Sequence, residues 1–224
     1  MKNKTRIGIA LFSLLLFAWS CSENNTDKTT VEVIQSVNSV ENAGIESSED
    51  FYFFLPSPIQ IAHILKKSGL IYEPGITNDP KKYDQYQTRI SGLLNLGVYT
   101  GDLAYCIMND RIVEGREYAA AIKKVSDLVD LSEVYNPEKS NTNIEAAVEN
   151  RDSLINFIIS TQENLNEYAE NSNQASILLV TFTGAWIETI YLGSHSENKS
   201  PENVAETLTE QMGILKNLIS GLKT

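Results

Sequence analysis

Cysteine and histidine are scarce in this chain of 224 residues, with two of each. No His, Cys, Asp or Glu set falls at ligand spacing, which leaves a zinc site without support. Cys21 and Cys106 are the two cysteines, and a disulfide framework needs more. No phosphate-binding glycine loop, Gly-x-Ser-x-Gly elbow or CxxC occurs, so the reactions those motifs carry have no foothold and no cofactor is expected. Ser196-Glu197-Asn198-Lys199 matches a Ser-x-x-Lys string in letters only, because that chemistry needs the pair on a helix and these residues lie in a polar stretch. Basic residues are also in deficit, 18 against 29 acidic. A field of that sign repels nucleic acid and anionic lipid surfaces.

Period-two alternation of apolar residues is missing throughout, which leaves no sequence support for a sheet. What is present is apolar periodicity at helical spacing, framed by matched start and stop signals. Ser57-Pro58 opens a first helix that Gly69 closes. Asp79-Pro80 opens a second stripe of nearly 30 residues ending at Met108, either one long helix or two sharing an axis, with Gly97 as the expected bend. A third helix is expected from about Val113 to Leu131, and a fourth from Asn141 or Asn143 to about Asn171. The fifth, Ala175 to Gly193, is apolar on all sides with Glu188 its one charge, the mark of a central helix. Ser200-Pro201 starts the last, which ends at Gly221. The fold class is therefore all-α: a single-domain bundle of about six helices over residues 51–224, with antiparallel neighbours joined by short loops.

Ahead of that bundle, Lys2, Lys4 and Arg6 precede an apolar run from Ile7 to Trp19, broken only by Gly8 and Ser13. The run is too short to span a bilayer and of the length a signal peptide uses, so residues 1–20 are expected to be removed. Leu16-Phe17-Ala18-Trp19-Ser20-Cys21 resembles the lipobox of bacterial lipoproteins, which implies acylation of Cys21 by diacylglycerol and an amide-linked chain such as palmitate. Trp19 departs from that pattern, whose equivalent position usually holds a smaller residue. Several acyl chains hold a protein on a membrane without spanning it, at about 0.8 kcal/mol per buried CH₂. Ser22 after the Cys resembles the outer-membrane sorting signal, which implies an outer-membrane lipoprotein facing the periplasm or the cell surface. Processing removes three of the 18 basic residues and none of the 29 acidic ones, so the net charge moves from −11 to about −14. Residues 21–50 are dominated by Ser, Asn, Thr, Glu and Asp and cannot bury enough apolar area to offset chain entropy, which predicts a tether. The aromatic run Phe51-Tyr52-Phe53-Phe54-Leu55 is expected to lie extended against the helices.

The second and fifth helices echo one another in Tyr99-Thr100-Gly101 and Phe182-Thr183-Gly184. Glycine inside a helix costs about 0.8–1 kcal/mol against Ala, so two in matching contexts predict a close approach of helix backbones, with a degenerate duplication and coincidence both open. Leu55-Pro56-Ser57-Pro58, Leu94-Asn95-Leu96-Gly97-Val98-Tyr99 with Asp102-Leu103-Ala104-Tyr105, and Gly184-Ala185-Trp186-Ile187-Glu188 with Tyr191 resemble an uncharacterised family of Bacteroidetes lipoproteins. That resemblance spans the domain and implies a helical periplasmic or surface lipoprotein; it brings no activity with it.

Glu188 is the residue that demands an account, since a carboxylate on an all-apolar helix must be paired, protonated or facing a cavity. The expected cluster places Arg151 with Glu188 or Asp102, assisted by Asn95, Tyr99, Tyr105, Trp186 or Tyr191. Its plain reading is structural, a buried ionic device fixing helix register. The functional reading is a pocket in which Trp186 and the tyrosines form walls and Arg151 receives an anion from a small-molecule ligand. Catalysis as a hydrolase or lyase would require Asp102 and Glu188 to have separated pKa values and to open within about 5 to 10 Å of each other onto one cleft. The favoured expectation is a lipid-anchored, non-catalytic module that binds an envelope protein or a small ligand.

Overall fold

A computed structural model describes residues 57–135, 150–197 and 200–221. The expected signal peptide, Cys21, the tether, the aromatic run 51–55 and the loop at Asn136-Pro137 lie outside them. The described residues form an all-α fold without a strand: α1 (Pro58–Lys67), a 3-10 helix (Pro80–Gln85), α2 (Arg89–Met108), α3 (Ile112–Leu128), a single turn α4 (Ser132–Tyr135), α5 (Arg151–Ser172), α6 (Ala175–His195) and α7 (Pro201–Gly221).

Local chemistry sets these bounds. Ser57 and Gln60 close a capping box ahead of Pro58, and Gly69 ends the helix region at φ 110°. The second stripe is not one helix. Asp79 caps only the 3-10 turn, and Thr88 then forms a new capping box with Ser91 that starts α2 at Arg89. Gly97 does not interrupt α2, which runs on to Met108. Asp130, at φ 60°, ends the third helix earlier than Leu131 and turns the chain into α4. Asn150 caps α5 with Ser153, so Arg151 opens this helix and does not sit inside an apolar stripe; the expected start at Asn141 or Asn143 falls outside the described residues. α6 extends two residues past Gly193 to His195.

α6 is the central helix, packed against α1, α2, α5 and α7. It is long and apolar enough to cross a membrane by length and composition, yet over half of that stretch is buried inside the fold. Its main partner is α2, and the two run parallel. Arg89 Nη2 donates to Gln174 Oε1 at 3.1 Å where both helices begin, and Tyr105 Oη lies 2.8 Å from Ser196 Oγ where both end. Contact is closest at Gly97 and Gly184, where a Cβ on either residue would overlap the other helix's backbone. One hydrophobic core lies on the α3 and α5 side of this pair around Leu96, Leu103, Ile122 and Ile158. A second lies toward α1 and α7 around Ile61, Leu65, Trp186 and Leu218.

Candidate functional site: a buried acid pair under a strap

Glycine at position 101 decides where the acids meet. The stem of Glu188 lies over it, with Cβ and Cγ 3.2 and 3.3 Å from where a Cβ would stand. Asp102, the next residue on α2, is 0% exposed and Glu188 is 6% exposed. Asp102 Oδ2 accepts from both the backbone N and Nδ2 of Asn78, each at 3.3 Å. Asp102 Oδ1 and Glu188 Oε1 are buried without a hydrogen-bond partner among the described residues. Burial, then the charge and hydrogen bond of Glu188, hold Asp102 well above the ordinary carboxylate range, with Asn78 opposing. Burial raises Glu188 as well, while hydrogen bonds from Asp102 and Asn78 favour its charged form. Both carboxyls therefore keep their protons to higher pH than solvated ones do.

Asn78 belongs to a strap, residues 69–79, that runs beside the second half of α2 and is pinned by phenols. Tyr105 Oη donates to the Ile71 carbonyl at 3.2 Å and accepts from the Glu73 N–H at 2.7 Å. Tyr118 Oη donates to the Asn78 carbonyl at 2.7 Å, and Tyr99 Oη to the Asp79 carbonyl at 3.0 Å. Desolvation pushes the Tyr99 hydroxyl up to about 12 and raises those of Tyr105 and Tyr118 as well, so all three remain donors.

Asp102, Glu188, Tyr99 and Tyr105 therefore belong to one buried network. Asn95 lies one turn before Tyr99, buried, its Nδ2 without a partner. Trp186 is buried in the α1-side core, and its Nε1 likewise has none. Arg151 and Tyr191 are elsewhere. Arg151, at the head of α5, donates from Nε to the Ile107 carbonyl at 3.3 Å and stands 3.7 Å from Asp110 Oδ1. A guanidinium there serves the negative end of α2, which explains its position without any acid in the core. Tyr191 is 41% exposed and stacks on His195 at 4.1 Å. His63 differs from an ordinary hydrogen-bonded histidine: its Nε2 is buried and unpartnered, and burial, then Lys67 and Arg151, lower its pKa. Asn78 and Tyr118 were not legible as members of the network. Asn78-Asp79-Pro80 reads as turn chemistry, and Tyr118 as one apolar position of an inner face.

A cleft of about 70 Å³ opens on another side of the α2 and α6 crossing, against α5. Gly97, Thr100, Thr181 and Ala185 contribute to its lining, and neither Asp102 nor Glu188 does. Among the described residues, no group of three or more His, Cys, Asp or Glu side chains is placed to hold a metal ion.

The chain matches no protein-family model, no curated protein and no solved structure.

Proposed function

We propose that this chain is a lipid-anchored, non-catalytic helical module of the cell envelope that holds a partner protein or small ligand. The observation that carries the non-catalytic part is the closure of the acid pair. General acid and base work needs two carboxyls that reach a substrate with separate duties. Here Asp102 is fully buried, burial raises both acids alike, and Asn78 occupies Asp102 Oδ2. The acids are enclosed beneath the strap and neither lines the cleft, which supports a structural duty and leaves the hydrolase or lyase reading without a route for substrate.

The anchoring part rests on the sequence from Lys2 to Cys21 and on the resemblance to Bacteroidetes lipoproteins. Labelling with palmitate in a Gram-negative host tests it. The natural chain should take up label and sediment with outer membranes, and Cys21→Ser should take up none and remain with the cytoplasmic membrane through its uncleaved signal. An unlabelled natural chain with an intact N-terminus would remove the proposal. For the network, Glu188→Gln is decisive: altered melting with no change in any bound ligand seen by native mass spectrometry supports structural duty, and loss of a ligand from a normally folded variant counts against it.

A further inference from the structure

We propose that the cleft between α2, α5 and α6 is the seat of the chain's own Leu55, whose side chain enters it while the aromatic residues 51–54 stay outside. This goes beyond the function proposed above and rests on neither the anchor nor a bound ligand.

The first described residues stand at the cleft itself. Pro58, which opens α1, is part of the wall, and Ser57 before it caps the helix in an extended conformation at φ −65° and ψ 154°. Leu55 and Ser57 each precede a proline, and a residue so placed is kept out of the helical region. The step back from Pro58 to Leu55 is therefore extended chain, reaching at most about 11 Å at ~3.3–3.6 Å per residue. Leu55 is within range of the cleft without any rearrangement of the helices.

The walls suit such a guest. Ile158, Leu165, Leu178 and Phe182 are apolar, and no charged side chain takes part. The Thr100 hydroxyl on the same wall already donates to the Leu96 carbonyl at 2.7 Å and asks for no polar group. At about 70 Å³ the space is less than half the ~150 Å³ apolar cavity that accepts benzene. A whole aromatic ring is excluded and the branched tip of one leucine is not, which selects Leu55 over the aromatic residues before it.

Tyr135 also lines the cleft and leads into a second stretch outside the described residues, 136–149. From Asn136 to Asn143 its one apolar residue is Pro137, and Ile144 stands nine positions from the wall where Leu55 stands three. The shorter connection wins. A guest held through so short a link meets its site at an effective concentration on the order of millimolar or above, which a free ligand would have to exceed.

The test uses the mature chain made without residues 1–20 and carrying Cys21→Ser, labelled at the methyl groups of leucine, isoleucine, threonine and alanine and followed by NMR. Through-space contacts from the Leu55 methyls to those of Thr161, Leu165 or Ala185 are expected. Leu55→Ala should abolish them, shift the cleft methyl signals and lower the melting temperature by about 2–4 °C. Phe53→Ala should keep the contacts of Leu55. The proposal is overturned if the Leu55 methyls meet no residue of the cleft, or if Ile144 or a ring from residues 51–54 is found there instead. Cleft signals that stay unchanged in Leu55→Ala would overturn it as well, whatever happens to the melting temperature. Failure of palmitate labelling would remove the anchor and leave this result untouched.

Discussion

Gly97 and Gly184 face one another reciprocally across the parallel pair α2 and α6. A Cβ on Gly97 would stand 1.9 Å from the Thr181 carbonyl oxygen, and one on Gly184 would stand 2.0 Å from that of Leu94. Each glycine thus rests on the carbonyl three residues before the other. That relation is a local two-fold between the helices at this point, and it lets two backbones meet with no side chain between them.

The consequence for stability is direct. Overpacking usually costs about 1–3 kcal/mol, and here the obstacle is backbone that cannot rotate away. Gly97→Ala and Gly184→Ala are expected to lower unfolding free energy in urea by about 3 kcal/mol or more, despite the helix propensity gained. Gly213→Ala, on α7 with nothing within 4 Å of the added methyl, should gain about 0.5–1 kcal/mol from that same propensity. Equal losses at all three positions would refute the crossing as the cause.

The sequence echo pointed to the right helices through the wrong residues. Aligning Tyr99-Thr100-Gly101 with Phe182-Thr183-Gly184 pairs Gly101 with Gly184, whereas the structure pairs Gly97 with Gly184 and reserves Gly101 for the stem of Glu188. Composition shows that close approach is wanted, but register depends on which carbonyl faces which gap. Glu188 was legible as a buried charge because one carboxylate on an apolar helix is a local anomaly. Asp102 was legible beside it as the second acid of a pair, but the cation expected with them lies elsewhere. Arg151 shared the apparent period of a stripe, yet the Asn150 cap makes it the first residue of α5 and sends it to the end of α2. The central α6, the cap at Ser57 and the start of α7 at Pro201 needed only propensity and patterning, which is why their positions were readable.

The acid pair makes stability depend on pH in an unusual direction. Asp102 and Glu188 ordinarily titrate near 3.8 and 4.5, and burial raises both in the folded chain. A group whose folded pKa is raised gives its full stabilisation below the unfolded value and loses it as pH climbs through the folded value. The pair's contribution should therefore shrink from pH 4 toward pH 8. Asn at position 102 keeps the shape of the side chain and carries no proton that titrates in this range. Asp102→Asn should match the natural chain near pH 4.5 and exceed it increasingly toward pH 8, by about 2–4 °C in Tm for each kcal/mol relieved. Glu188→Gln should gain less, because burial still raises the more deeply buried Asp102, which goes on titrating. A constant offset across that range would show that the pair does not titrate between the two states.

The strap should loosen as a unit when one phenol is removed. Tyr118→Phe leaves the Asn78 carbonyl without its donor and weakens the hold of Asn78 on Asp102, at about 1–3 kcal/mol. Hydrogen exchange is expected to accelerate first at the backbone N–H groups of Glu73 and Asn78, while the centres of α2 and α6 stay protected. Uniform acceleration over the whole fold would mean that the strap is not a separate unit.

Thiol counting joins the sequence to the core. Cys106 is 1% exposed, and burial, then the nearby Asp102 charge, push its thiol well above the ordinary cysteine range. A thiol so placed is withheld from solvent and from its reactive thiolate form. Cys21, if acylated through sulfur, has no thiol to offer. The native protein from membranes should then titrate no thiol with an aromatic disulfide reagent, and one after unfolding in guanidinium. The Cys21→Ser chain should give the same two readings. A thiol that reacts in the native membrane protein and disappears in Cys21→Ser would show an unmodified Cys21. One that persists in Cys21→Ser would show instead that the core around Cys106 opens.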